Sequence, residues 1–211
     1  EDGIADYSYL RNPGACIPAY MFANTGIVHA VIPARIVDVA TEGVFSNCKL
    51  LETVTFESKQ LSGTCVGPKF FAGCTKMKEI AIPMGLRNVM YGMGVFDGCT
   101  ALEKVTLHTY WDFDFVYASA NTFTNCPNLK TIEVLCVMEG EYDENDELIG
   151  YKTVVPSFIG YLYDNALNGT GFTRFHANGS SFNVCGTGFA GSKVETLVIN
   201  PTGWVGLEGN W

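Results

Sequence analysis

The chain has 211 residues, with 13 Lys plus Arg against 22 Asp plus Glu, a formal charge of −9. That balance excludes the basic footprint of a nucleic-acid binder. A hydrophobic share of 47% with only 17% charged residues excludes a disordered chain, and no apolar run reaches the length of a membrane span. Gly at 23 and aromatics at 13% fit a chain rich in turns and strands. The chain starts at Glu1 with no charged-then-apolar leader, as expected of a processed or cloned segment from which any targeting signal has been removed.

In chain order, residues 1–20 read as a leader or N-terminal cap, and self-similarity begins just after them. Four segments align without gaps on F-x-x-C-x-x-[L/M]-x-x-[V/I]-x-apolar. They are Phe45/Cys48/Leu51/Val54/Phe56, Phe71/Cys74/Met77/Ile80/Ile82, Phe96/Cys99/Leu102/Val105/Leu107 and Phe123/Cys126/Leu129/Ile132/Val134. Three more, led by Phe22, Leu167 and Phe189, fit a version one residue shorter. The leading residues step by 23, 26, 25, 27, 44 and 22, so one step holds an insertion.

Each unit predicts two pieces. The L-x-x-V-x-F end alternates apolar and polar, as a strand with one buried face does. The aromatic and Cys three residues apart predict a single helical or 3₁₀ turn packed inward. The link over 32–39 reads as a second short extended piece. One unit cannot bury its apolar face alone, whereas stacked units build a continuous core.

With Ile32, Pro33, Ile36, Val39, Val44, Phe45 and Cys48 in one unit, and Ile82, Pro83, Val95, Phe96 and Cys99 in another, the chain resembles the BspA-like leucine-rich repeat proteins. The links at 57–70 and 108–122 and the insertion depart from that pattern. The resemblance implies a β-rich leucine-rich-repeat solenoid, a right-handed superhelix of about seven repeats covering 21–211. It also implies a secreted or cell-surface protein of a host-associated bacterium, active in adhesion or partner binding, and no catalytic residues to carry over.

The Cys slot holds Thr25, Cys48, Cys74, Cys99, Cys126, Thr170 and Ser192. A slot that accepts Thr and Ser calls for a small, weakly polar side chain. Stacked coils about 4.8 Å apart also point such side chains the same way, unlike disulfide partners. Buried thiols are therefore expected there. Cys16, Cys65, Cys136 and Cys185 lie outside the slot, and their pairing stays open. No Cys/His cluster with zinc spacing occurs, so neither metal nor cofactor is expected.

Several motifs carry weaker signals. Gly186, Gly188 and Gly191 form G-x-G-x-x-G, but fall on a repeat turn rather than between a strand and a long helix. Residues 137–156 predict a β-hairpin with an acidic tip. Asp143, Asn145 and Glu147 echo a calcium loop that lacks its Gly and its closing Glu. His29, His108 and His176 have no nucleophile beside them, and Glu79 and Glu133 fall in different strand columns, so catalysis is not expected. Asn168 and Asn178 head glycosylation acceptor patterns that matter only in a eukaryotic secretory pathway.

The candidate ligand face is the outward side of the repeat strands, expected on the concave surface: Thr53, Thr55, Glu79, Ala81, Lys104, Thr106, Thr131, Glu133, Arg174 and His176. A protein ligand is the first expectation. A glycan ligand is the alternative, with Tyr110 and Trp111 as an exposed stacking platform at the head of an alternating run that continues through Phe113, Phe115 and Tyr117.

Overall fold

The computed structural model describes residues 15–57, 66–83, 93–109, 116–118, 120–142, 144, 148–157, 159–179, 182–201 and 205–208. The strands are β1 (Ala15–Cys16), β2 (His29–Ile32), β3 (Ile36–Asp38), β4 (Thr53–Phe56), β5 (Glu79–Ile82), β6 (Lys104–Thr109), β7 (Val116–Ala118), β8 (Thr131–Tyr142), β9 (Leu148–Ser157), β10 (Ile159–Leu162), β11 (Arg174–Gly179), β12 (Phe182–Cys185), β13 (Thr196–Pro201) and β14 (Val205–Glu208).

The strands form a leucine-rich-repeat β-solenoid with two parallel columns. One column carries the repeat strands: β2 beside β4, then β5-β6-β8, then β11 beside β13. The other carries the extended piece of each link: β1 beside β3, then β7-β10-β12-β14. This second column begins at Ala15, within the stretch read from sequence as a leader or cap. Among the described residues no helix is long and apolar enough to cross a membrane.

The third side is built from turns and differs from the expected helical or 3₁₀ turn, since no helix occurs among the described residues. The reason lies two residues after each leading aromatic or Leu. Asn24, Asn47, Gly73, Gly98, Asn125, Gly169 and Gly191 all hold φ between 58° and 73°. Left-handed backbone ends a helical progression, and only Asn and Gly adopt it at low cost. Alternate N–H groups then split their work. In the second coil, Ser46 and Cys48 donate within the turn, to Gly43 and Phe45, while Gly43, Phe45 and Asn47 donate to Pro68, Phe70 and Ala72 of the next coil. The same crossing bonds link the turns around Phe22, Phe45, Phe71, Phe96, Phe123, Leu167 and Phe189 in succession. The turns thus form a third hydrogen-bonded ladder that satisfies backbone groups which burial would otherwise leave orphaned.

The core lies between the three ladders. Phe22, Phe45, Phe71, Phe96 and Phe123 stack ring on ring, with centroids 5.4, 5.8, 5.6 and 5.7 Å apart and planes within 14°. Stacked pairs of this kind add about 0.5–1.5 kcal/mol beyond burial. Leu51, Met77, Leu102 and Leu129 are fully buried beside them.

The 44-residue step is explained by β8 and β9. Where other repeat strands turn back, β8 runs on to Tyr142, and β9 returns antiparallel with Val134 opposite Ser157 and Cys136 opposite Val155. The base of this hairpin thus lies inside the repeat sheet. The β9 arm takes the free edge of β8, and β11 pairs with β13 instead. Residues 143 and 145–147, the core of the calcium-loop pattern, lie outside the described residues.

Candidate functional site

Side chains along a repeat strand alternate, because successive Cβ atoms point to opposite faces. In β5, Ile80 and Ile82 are buried while Glu79 and Ala81 are exposed; in β4, Thr53 and Thr55 are exposed. Register then places the outward residues in two rows. One row sets His29 beside Thr53, and Glu79 beside Lys104 beside Thr131. The other sets Val31 beside Thr55, and Ala81 beside Thr106 beside Glu133.

The centre of this face is Glu133. Lys104 Nζ reaches diagonally between the rows to Glu133 Oε2 at 2.8 Å, with about 40% of each side chain still exposed. The bond from Lys104 is the main reason the Glu133 carboxyl sits below the usual carboxylate range; Thr106 donates to it as well, and His108 adds positive charge nearby. His108 Nδ1–H donates to the Ile82 carbonyl at 3.0 Å, which fixes its ring over the neighbouring strand. At the start of the stack, His29 Nδ1 and Thr53 Oγ1 are 2.8 Å apart.

The structure therefore brings Glu79, Lys104, Thr106, Thr131 and Glu133 together on adjacent strands. Thr53 and Thr55 lie on the β2-β4 pair. Exposed Arg174, with His176, belongs to the β11-β13 pair, beyond the hairpin that closes the β8 edge. Tyr110 and Trp111, with Phe113 and Phe115, lie outside the described residues, as does Cys65. Among the described residues no group of three or more His, Cys, Asp or Glu is arranged to hold a metal ion. Glu133 is neutralised by Lys104, and no second carboxylate shares its row among the described strands. The cluster can offer hydrogen bonds and a paired charge to a ligand.

The Cys slot is a row of buried thiols. Cys48, Cys74, Cys99 and Cys126 are fully buried and not in disulfides. Each donates to the leading Phe carbonyl of the preceding coil, at 2.9, 3.2, 3.0 and 3.0 Å. Burial pushes the Cys74 and Cys126 thiols up to about 12 and Cys99 well above its ordinary value. A thiolate is the reactive form, so these groups are inert and structural. The glycine motif at 186–191 is a turn of the ladder, with Gly186 and Gly191 both at positive φ and no helix after it among the described residues.

Three solved structures show similarity to this chain. A leucine rich cell surface protein from Faecalibacterium prausnitzii A2-165 is 18% identical and superposes with a TM-score of 0.60, over 88% of this chain and 43% of that one. A leucine-rich repeat protein from Bacteroides ovatus ATCC 8483 is 16% identical, with a TM-score of 0.48 over 83% of this chain and 45% of that one. The T. pallidum leucine rich repeat protein is 15% identical, with a TM-score of 0.40 over 55% and 61%. The chain thus spans less than half the length of the first two. No curated protein matches it. Six copies of the BspA type leucine rich repeat region match residues 15–139. With more than half of its residues matched in this way, the chain belongs to the BspA-type leucine-rich repeat family.

Proposed function

We propose that the chain is a non-catalytic binding module that docks a protein partner on its repeat-strand face, at a bacterial cell surface. The observation that carries this reading is the cluster of Glu79, Lys104, Thr106, Thr131 and Glu133 on three adjacent strands. Short hydroxyls flank one charge pair that is already held in place, so binding loses little side-chain freedom. Stacked repeats offer such extended faces to partners. Support for the location comes from the family and from the cell surface protein that shares the fold.

The test probes an array of extracellular proteins and an array of glycans with the labelled chain. A protein hit should weaken tenfold or more in Thr106→Arg and Thr131→Arg, and persist in Lys76→Glu, which changes an exposed residue in the link before β5. Hits that ignore both face variants would overturn the reading. Hits on glycans alone would favour carbohydrate recognition instead.

A further inference from the structure

The repeat-strand face carries an order of charges that no single residue shows. The residue just before each repeat strand is exposed, and for β5, β6 and β8 it is Lys78, Glu103 and Lys130 in turn. Backbone bonds hold these three side by side. Glu103 N–H donates to the Lys78 carbonyl at 2.7 Å, and Lys130 N–H to the Glu103 carbonyl at 3.1 Å. The next row reads Glu79, Lys104 and Thr131, and the one beyond it Ala81, Thr106 and Glu133. In the first two rows no charge stands beside another of its own sign, either along a strand or across to the next.

Opposite charges on neighbouring strands attract one another. Yet of these six only Lys104 and Glu133 close into an ion pair. Lys78, Glu79, Glu103 and Lys130 join none among the described residues, so their charges are open to a partner. Three Lys and three Glu also cancel, in a chain of net charge −9. The patch has no overall sign with which to draw an acidic or a basic partner. Only the order of its charges distinguishes one partner from another.

We infer that the partner on the docking face proposed above, a reading on which this inference rests, is an α-helix lying across β5, β6 and β8. It carries Glu, Lys and Glu one turn apart, opposite Lys78, Glu103 and Lys130. Helical turns recur about every 5.4 Å and paired strands about every 4.8 Å, so two steps accumulate a mismatch of about 1.2 Å, within the reach of Lys and Glu side chains. An extended segment laid the same way repeats its facing residues about every 6.8 Å and falls out of step by about 4 Å. A helix about 10–12 Å across also covers the three rows, which span about 10 Å along the strands. Sliding it by one turn sets like charge against like, so the pattern fixes register as well as partner.

A displayed library of Ala-rich helices of about 20 residues, long enough to hold their fold, tests this. Glu, Lys, Ala or Leu are allowed at positions one turn apart on one face. Panned on the wild-type chain, the library should enrich Glu-Lys-Glu tenfold or more over Lys-Glu-Lys. Panned on a variant with Lys78→Glu, Glu103→Lys and Lys130→Glu, it should enrich the inverse order. All three positions are exposed, and an unchanged melting point confirms that the variant keeps its fold. General attraction to an acidic chain would enrich Lys on both proteins whatever the order, and would overturn the inference. The same order on both proteins, or no enrichment at all, would overturn it too. Protein hits lost in Thr106→Arg and Thr131→Arg while no ordered helix emerges would leave the docking face standing and remove only its helical partner.

Discussion

Cys99 Sγ donates a 3.0 Å hydrogen bond to the carbonyl of Phe71, one coil before its own. That carbonyl also accepts the N–H of Cys74 in its own turn at 3.1 Å. The Cys slot thus bonds each coil to the one before it. Where Thr fills the slot, Thr170 Oγ1 bonds instead to Leu167 of its own turn, at 2.7 Å.

Cys99→Ser should therefore rebond within its own turn, to the Phe96 carbonyl. The fold should survive at a cost of about 1 kcal/mol, the range of one net hydrogen bond. Denaturant melts measure the cost. A drop several times larger would mean that the thiol's apolar bulk, rather than its bond, holds the slot.

The native slot thiols should resist an aromatic disulfide reagent at pH 8 and react fully once the chain is unfolded without reductant. The folded pKa values of Cys74, Cys99 and Cys126 are raised, with Cys74 and Cys126 pushed up to about 12. The stability they contribute is present below the unfolded thiol value near ~8.5 and is lost as pH rises from there toward 12. Melts between pH 8 and 11 should fall steadily, and a Cys74→Ser/Cys126→Ser pair should flatten the slope.

Gly98 sits at φ 72°, and a Cβ there would make only ordinary van der Waals contact, the nearest atom being 3.8 Å away. Its cost of substitution is then conformational rather than steric. Gly98→Asn should be close to neutral, and Gly98→Val should cost about 1–2 kcal/mol or more. Equal melts for the two variants would contradict a left-handed backbone there.

Phe96 is fully buried and stacked between Phe71 and Phe123. Phe96→Ala should cost about 3–5 kcal/mol. Calorimetry should show the loss, with the amides of the coils on either side losing exchange protection first.

The hairpin divides into two parts. Replacing residues 139–152 by Asn-Gly keeps the Val134, Leu135 and Cys136 pairs to β9, and should leave the melting point within a few degrees. Removing β9 altogether uncovers the β8 edge and should bring aggregation, read by light scattering.

The repeat motif alone carried the solenoid, the positions of the repeat strands and the inward Phe and Cys rows, because apolar spacing encodes which face is buried. The sequence carries another signal: Asn or Gly stands two residues after every leading aromatic or Leu, in all seven units. It marks a left-handed residue, and it excludes the helical turn that the aromatic-to-Cys spacing implied. That spacing fits both a helical turn and a pair of overlapping β-turns; the Asn or Gly decides between them.

Other features were settled only by the tertiary structure. The outward face was readable as a list of polar residues, yet Lys104 and Glu133 stand 29 positions apart, and their diagonal approach depends on parallel register between coils. The separation of the β11-β13 pair from β5-β6-β8 follows from β9 taking the edge of β8, and no local pattern in 131–157 states which edge a returning arm will occupy. The direction of the turn ladder arises in the same way. Each N–H and carbonyl is generic in sequence, and only stacking decides which donate to the next coil and which stay within their own turn. Local composition and spacing determine what one coil is, whereas pairing between coils, a matter of distant backbone contacts, determines which surfaces the protein presents.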